Sequence, residues 1–303
     1  MKMKYFAGWD GGATHTTIEC VNPAGETVLR AKAGPLNAHG STHEQVARTV
    51  KEALLHMETL PDGLSALGGL CIGGAGASGA GTRGVWEDAL ASGGLNIPYT
   101  LVSDYETALF GAFNGGPGIV LISGTGAVCS GKDNSGRIHR CGGWGHIFDD
   151  EGSGYAIGRD VLGAVVRSYD GRAKPTVLKE MLFDAWGIQS IPELVTRAYS
   201  RETGKKEIAA LTVLFDKALA LGDDAAIEIL HKAVSSLIVL LTSTLKSLEF
   251  TEDMVGTVLM GGIVRKEAAI YFELKKRLPT RLRLCEPLAD AARGAALMAL
   301  GRY

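Results

Sequence analysis

Residues 5–17 read YFAGWDGGATHTT, in which the apolar run Tyr5–Trp9 ends at an acidic, glycine-rich loop. Residues 118–126 read GIVLISGTG and repeat the design, because an apolar run again ends at a small hydroxyl residue and glycines. Glycines let backbone N–H groups approach phosphate oxygens, and threonine hydroxyls can donate to them. Each loop alone is equally compatible with a glycine-rich turn. The pair predicts two similar lobes that clamp one polyphosphate, and no Walker A sequence is present to suggest a P-loop fold.

The pattern around these loops predicts an α/β fold with two lobes and a central cleft. The first half alternates short strands at 5–9, 16–21, 27–33, 68–74 and 99–102 with helices at 42–57, 83–90 and 105–114. The second half has strands at 118–123, 128–132, 137–140, 255–260 and 281–285, with a helical insertion over 155–248 and helices at 265–277 and 290–300. We expect lobes at 1–116 and 117–287, and a final helix, about 288–303, that packs back on the first lobe.

Composition excludes several classes of function. The 303 residues are 46% hydrophobic and 21% charged, which is typical of a globular protein. The net charge of -2 and the scattered Lys and Arg residues argue against a nucleic-acid partner. The longest apolar region, residues 233–248, is broken by Ser, Thr and Lys, which argues against a membrane span. Five widely spaced cysteines and the absence of an apolar leader at the start predict a reducing, cytoplasmic environment.

Two carboxylates stand at strand ends. Asp10 ends the first strand, where a carboxylate suits Mg²⁺ directly or through its waters. Asp104 follows the strand Tyr99–Val102 at the start of a helix. It can be a helix cap or, because strand ends converge in α/β sheets, a general base.

The densest motif is CGGWGHIFDDEGSGY at residues 141–155. Carboxylates accept hydrogen bonds from hydroxyls and glycines permit close approach, so three acids among glycines favour recognition of a polyol. The acids can also complement a helix dipole, which explains Glu151 but not the glycines. Cys129, His139, Cys141 and His146 match no common zinc spacing. Gly261-Gly262-Ile263-Val264 fits either an adenine contact or a tight strand-to-helix turn.

Five motifs, taken in chain order, resemble those of the BadF/BadG/BcrA/BcrD ATPase family, within the actin, hexokinase and heat-shock chaperone superfamily. They are DGGATHTT, VSDYETAL, ISGTGAVCSG, GGWGHIFDDEGSGYAIGRD and MGGIV. Together with Asn37, the GGWGH and DEGSGY runs are most similar to kinases of N-acetylglucosamine and N-acetylmuramic acid. The resemblance implies two actin-like, ribonuclease H-like lobes. It also implies an ATP- and Mg²⁺-dependent sugar kinase, with a homodimer as the expected assembly.

Carried over by position, the resemblance assigns three sets of residues. Asp104 becomes the catalytic base and also contacts the sugar. The nucleotide would be bound by Asp10, Gly11, Gly12, Thr14, Thr16, Thr17, Gly124, Thr125, Gly126, Gly261 and Gly262. The amino sugar would be bound by Asn37, Thr125, Gly143, Trp144 and Asp150, with Asp150 and Asn37 as hydroxyl partners and Gly143 near the acetamido group.

Two departures from the family pattern and two alternative functions stand beside this hypothesis. Ala13 and His15 replace the usual glycine and cation of the first loop, which predicts weaker or pH-dependent ATP binding. Phe148-Asp149 stands where a glycine is common, and the extra acid predicts an altered choice of sugar substituent. A glucosamine kinase is one alternative. An activator ATPase of a radical dehydratase is the other, but it bridges an iron–sulfur cluster with a close cysteine pair, and the cysteines here are scattered.

Overall fold

A computed structural model describes residues 4–12, 14–36, 42–74, 77 and 80–302. The chain forms two compact units. Unit 1 comprises Met1–Gly118, Lys132–Gly136 and Cys285–Tyr303, and unit 2 comprises Ile119–Gly131 and Arg137–Leu284. The chain therefore crosses from one unit to the other more than once, and its last segment returns to unit 1.

Unit 1 is built on a five-stranded sheet of order β3-β2-β1-β4-β5. Its strands are β1 (Tyr5–Gly11), β2 (Thr16–Val21), β3 (Thr27–Ala33), β4 (Leu67–Gly74) and β5 (Tyr99–Val102). The first three strands are antiparallel, and β4 and β5 run parallel to β1. The side chains of β1 and β4 are almost all buried, and both strands are apolar except for Asp10 near the end of β1.

The helices of unit 1 are α1 (His43–Met57), α2 (Ala80–Ser92), α3 (Asp104–Phe113) and α11 (Ala291–Arg302). Helix α1 begins at a capping box between Thr42 and Gln45 and buries an apolar face at helical spacing. The final helix α11 packs on β1, where a Cβ at Gly8 would lie 2.0 Å from the backbone nitrogen of Ala296. Only glycine permits this close approach.

A buried ion-pair network joins the final helix to the strand meander of unit 1. The fully buried Glu19 of β2 accepts from Arg30 at 2.6 Å and from Arg293 of α11 at 2.9 Å. Arg293 also donates to the carbonyl of Gly25 at 2.8 Å, and Arg30 pairs with Asp290. Both arginines satisfy the buried carboxylate, which would be costly to bury alone.

Unit 2 repeats the sheet of unit 1, with the order β10-β9-β6-β7-β8. Its strands are β6 (Gly118–Ser123), β7 (Ala127–Lys132), β8 (Ile138–Gly142), β9 (Val255–Met260) and β10 (Leu282–Leu284). Strand β9 is parallel to both β6 and β10, as β4 is to β1 and β5. The two sheets thus share one topology, as the repeated loop design predicts.

Helices α4 to α10 belong to unit 2. They are α4 (Gly154–Tyr169), α5 (Leu178–Trp186), α6 (Ile191–Ala198), α7 (Lys205–Ala209), α8 (Thr212–Ala220), α9 (Asp224–Lys246) and α10 (Ala269–Lys276). The helix predicted at 265–277 begins later, at Ala269, because the backbone of Arg265 and of Ala268 is extended, with ψ angles of 150° and 142°.

Within the described ranges, α9 is the one helix whose length and apolar composition would suffice to cross a membrane. Core helices of globular proteins pass the same test. One face of α9, including Ile229, Val234, Leu237 and Leu241, is buried in the core of unit 2. This packing accounts for its apolar character.

Candidate active site

In unit 1, strand register brings Asp10 close to Asp104. Asp10 of β1 pairs with Gly73 of β4, and Gly73 pairs with Val102 of β5, two residues before Asp104. A Cβ at Gly73 would lie 2.4 Å from Oγ1 of Thr107, so glycine lets the first turn of α3 settle on the sheet. The Thr107 hydroxyl in turn donates to the carbonyl of Asp104 at 2.9 Å.

The helix cap at α3 is provided by residues other than Asp104. The backbone N–H of Ser103, which precedes α3, donates to Oε1 of Glu106 at 3.0 Å, as in a capping box. Oδ1 of the half-buried Asp104 accepts from the N–H of Tyr105 at 2.9 Å. Asp104 is therefore not the N-cap residue, although it accepts from one first-turn N–H and adds negative charge at the helix N-terminus, and its role as base stays a prediction.

Negative charge is concentrated around Asp10. Burial and the carboxylates of Asp104 and Asp290 raise the pKa of Asp10 to about 6. A divalent cation would relieve this repulsion, so the residues present fit Mg²⁺. No described group of three or more His, Cys, Asp and Glu side chains is arranged to hold a metal. An ion at Asp10 would accordingly keep most of its water ligands, as Mg²⁺ commonly does.

The remaining residues of the first predicted loop differ in accessibility. Gly11 is buried, Gly12 and Thr17 are half-buried and Thr14 is exposed, its hydroxyl 3.1 Å from Nδ1 of His15. Thr16 is fully buried, and its hydroxyl donates to the carbonyl of Gly34 at 2.8 Å. This geometry makes Thr16 a support of the loop and not a candidate donor to phosphate. Two sequence-based expectations, for Ala13 and for the sugar contact of Asn37, lie outside the described residues.

In unit 2, the second predicted phosphate loop and the DEGSGY motif form one hydrogen-bonded block. The hydroxyl of Ser123 donates to the carbonyl of Gly152 at 2.9 Å. The N–H groups of Gly154 and Tyr155, at the start of α4, donate to the carbonyls of Gly124 and Thr125 at 2.8 and 3.3 Å. The loop is therefore held directly on the N-terminus of α4, and the half-buried Thr125 belongs to both predicted sets of contacts.

The exposed Gly261-Gly262 turn adjoins the same block. Gly261 has a φ of 101°, and a Cβ there would lie 2.2 Å from the carbonyl oxygen of Ser123. A side chain at this position would collide with the loop, so glycine is required. Gly124 and Gly262 both face open space at the Cβ position. The structure thus brings together the two loops of unit 2 that the sequence predicts to bind the nucleotide.

Asp150 is the most constrained acid of the motif. Its side chain is 4% exposed, and its backbone φ is 67°, a strained conformation for a non-glycine residue. Oδ1 accepts from the N–H of Ala127 at 3.2 Å, and Oδ2 accepts from Nζ of Lys205 at 2.7 Å. Both oxygens lie next to Gly126, where a Cβ would be 3.0 and 3.1 Å from them. Asp150, which is predicted to bind the sugar, therefore lies directly against the predicted phosphate loop.

The loop of residues 143–149 contains the predicted sugar contacts Gly143 and Trp144. It is closed by a backbone hydrogen bond and by the side chain of Asp149. Oδ2 of Asp149 accepts from the N–H of Trp144 at 2.8 Å, and the N–H of Asp149 donates to the carbonyl of Gly145 at 2.9 Å. Gly143 has a φ of 76°, and the exposed Trp144 ring carries the guanidinium of Arg140 at 4.2 Å. Asp149, the acid by which this chain departs from the family pattern, thus closes the loop.

The glycines of DEGSGYAIG also have structural causes. Gly152 has a φ of 82°, and side chains at Gly154 and Gly158 would meet neighbouring backbone. The sequence-based interpretation of these glycines as points of approach for a sugar is therefore not needed to explain them. Residue-level inspection of the sequence missed Lys205 and Asp290, whose positions beside Asp150 and Asp10 depend on tertiary packing.

The BadF/BadG/BcrA/BcrD ATPase family profile matches residues 7–299. The chain belongs to this family. It is 33% identical to the N-acetylmuramic acid/N-acetylglucosamine kinase of Clostridium acetobutylicum over 301 residues, 98% of each chain. It is 28% identical to the N-acetyl-D-glucosamine kinase of Dictyostelium discoideum over 317 residues, 99% of each chain.

A solved structure from Chromobacterium violaceum covers 99% of this chain and 100% of its own, with a TM-score of 0.77 and 24% identity. The duplicated sheets and this match show the actin-like ATPase fold predicted from the motifs. Because the BadF/BadG/BcrA/BcrD proteins are ATPases, membership implies ATP as the nucleotide.

Proposed function

We propose that this chain is an ATP-dependent kinase that phosphorylates a hydroxyl of an N-acetylated amino sugar, N-acetylglucosamine or N-acetylmuramic acid, and releases ADP. The named activities of relatives that match over nearly their whole length support the proposal. The observation that carries it is the position of the buried Asp150. Its carboxylate is shaped to accept hydroxyl hydrogen bonds and touches the glycine loop predicted to bind phosphate.

The carboxylates and the glycine loops have roles that their chemistry supports. Asp104 accepts or orients the hydroxyl proton of the sugar, and the phosphoryl group passes from ATP to that oxygen. Phosphoryl transfer has a loose transition state and depends more on positioning than on a strong base. The N–H groups of the glycine loops balance charge on the phosphates. Asp10 would hold Mg²⁺, which supplies further neutralisation of phosphate charge when bound.

The cellular setting of the reaction is part of the proposal. Five free cysteines, three of them buried, are in keeping with a reducing cytoplasm where ATP is available. The activator ATPase draws no support from the cysteines, because an iron–sulfur cluster bridged between subunits needs a close cysteine pair and the five cysteines are widely spaced in the sequence.

The test is ADP release with Mg²⁺ against N-acetylglucosamine, N-acetylmuramic acid, glucosamine, N-acetylmannosamine and glucose, with a no-sugar control. We expect strong turnover only with an N-acetylated sugar. Faster turnover of glucosamine than of any N-acetylated sugar would make glucosamine the acceptor and the protein a glucosamine kinase. ATP hydrolysis that no sugar accelerates would refute the kinase and favour the activator ATPase.

A further inference from the structure

Lys205 is a cationic side chain that contacts Asp150, the residue predicted to bind the sugar. Its Nζ donates to Oδ2 of Asp150 at 2.7 Å, and 32% of the lysine side chain is exposed against 4% of the aspartate. The two residues are 55 positions apart in the sequence. Lys205 is also the first residue of α7, which belongs to the helical insertion of unit 2.

The position of α7 is set by glycines in α4. A Cβ at Gly158 would lie 1.9 Å from the carbonyl oxygen of Ile208, so the two helices touch through their backbones. At Gly154, a Cβ would lie 3.5 Å from the Cβ of Ala209. These contacts seat α7 on the first turns of α4, which begins three residues after Glu151. The packing of α7 on α4 thus places Lys205 beside Asp150.

The charge balance at Asp150 requires such a partner. A buried carboxylate without a counter-charge is costly, and the neighbours Asp149 and Glu151 add negative charge. An ionised carboxylate offers about four acceptor positions on two oxygens. The N–H of Ala127 and Nζ of Lys205 take one on each oxygen, which fixes the plane of the group. One hydrogen bond to each oxygen leaves further acceptor positions on both.

We propose that Lys205 is a positioning residue that holds the carboxylate of Asp150 correctly oriented to accept the hydrogen bonds of the sugar hydroxyls. This inference rests on the proposed kinase function and adds a residue to it. Together with the bond from the N–H of Ala127, the ion pair restricts rotation of the carboxylate. Lys205 therefore acts on sugar binding through Asp150. Its Nζ also lies beside Gly126 of the predicted phosphate loop, 3.2 Å from where a Cβ would stand, so the test must separate an effect on the sugar from one on ATP.

The experiment compares steady-state kinetics of wild type, Lys205→Met, Lys205→Arg and the matched control Lys206→Met, which alters the adjacent lysine of the same helix. Lys205→Met should raise the sugar KM about tenfold or more, the effect of losing one charge-assisted hydrogen bond, with little change in the ATP KM. Lys205→Arg should recover part of the loss because it keeps the charge. Lys206→Met should match wild type.

A double variant keeps the test decisive if the buried charge destabilises Lys205→Met. Asp150→Asn removes the charge that needs a partner, so adding Lys205→Met to Asp150→Asn should raise the sugar KM little further. Independent, multiplying effects would contradict the inference. So would an unchanged sugar KM in Lys205→Met, or a rise in the ATP KM alone, which would assign the lysine to phosphate.

The outcome for wild type separates the two claims. An enzyme that phosphorylates no sugar in the panel refutes the proposed function, and this inference falls with it. An active wild type with an unaffected Lys205→Met variant refutes the inference alone.

Discussion

Asp10 lies close to two other carboxylates, those of Asp104 and Asp290, in the described part of unit 1. Burial and this repulsion raise its pKa from 3.8 to about 6. The folded protein therefore binds this proton more tightly than the unfolded chain does. The stability that protonated Asp10 contributes is fully present below about pH 4 and is lost as the pH rises through 6.

Asp10→Asn should therefore stabilise the protein without ligand at pH 8 by up to about 3 kcal/mol, the value of the shift at 1.36 kcal/mol per pKa unit. At pH 4 the gain should nearly vanish. Urea denaturation at both pH values in Mg²⁺-free buffer measures it, with the exposed Asp88→Asn as control. An equal gain at both pH values, or a loss at pH 8, would show that Asp10 is not under electrostatic strain.

Asp104→Asn keeps the shape of the side chain and removes its ability to take a proton. A positioned base typically contributes about 10² to 10⁴-fold, so kcat should fall by that order while the sugar KM changes little. The capping pair Ser103 and Glu106 is untouched, so the thermal midpoint should stay near that of wild type. A variant with near-normal kcat would remove Asp104 as the base.

Helix α7 illustrates what an element contributes. Gly158→Ala places a methyl group 1.9 Å from the carbonyl oxygen of Ile208, so α4 and α7 must separate. We expect a loss of about 1–3 kcal/mol in stability and a raised sugar KM, because Lys205 moves with α7. Thermal or urea unfolding and steady-state kinetics measure both effects.

Gly163→Ala is the matched control within the same helix. Its Cβ would meet only the far end of the Arg167 side chain, at 3.2 Å. Because alanine favours a helix over glycine, this change should be neutral or stabilise by up to about 1 kcal/mol. Equal losses in both variants would show that α7 is not seated on Gly158.

The elements themselves were largely predictable from the sequence. Apolar runs and turn residues located all ten described strands within a few residues. Burial on both sheet faces explains the apolar runs of β1, β4 and β6, whereas the more exposed β3 and β8 were predicted from the turns beside them. The repeated loop design predicted the duplicated topology. The prediction for α10 began four residues too early, because residues 265–268 (RKEA) favour a helix by composition although Arg265 and Ala268 have extended backbone.

The candidate site was only partly predictable. Asp150 and the glycine loops lie in short motifs, whereas Lys205 meets Asp150 across 55 residues. The one local signal for that contact was the glycine spacing of Gly154 and Gly158, which marks a close neighbour without naming it. That the extra acid Asp149 alters the choice of sugar substituent stays a prediction, and its bond to the N–H of Trp144 depends on loop geometry that the sequence does not show.

At the scale of the whole molecule, the five cysteines divide by burial. Cys20, Cys71 and Cys129 are buried, while Cys141 and Cys285 are half-exposed. Burial raises the pKa of Cys20 and of Cys129 to about 12, so neither forms a reactive thiolate near neutral pH. Ellman's reagent at pH 8 should label at most two thiols per folded chain and five after denaturation. Rapid labelling of four or five in the native protein would contradict the packing of both units.

The most direct measurement is transfer of label from ATP carrying ³²P in the γ-phosphate to N-acetylglucosamine or N-acetylmuramic acid, with products separated by chromatography. The proposed function predicts that the label appears in a sugar phosphate in a one-to-one ratio with ADP. Label recovered only as inorganic phosphate, with or without the sugar, would contradict a sugar kinase.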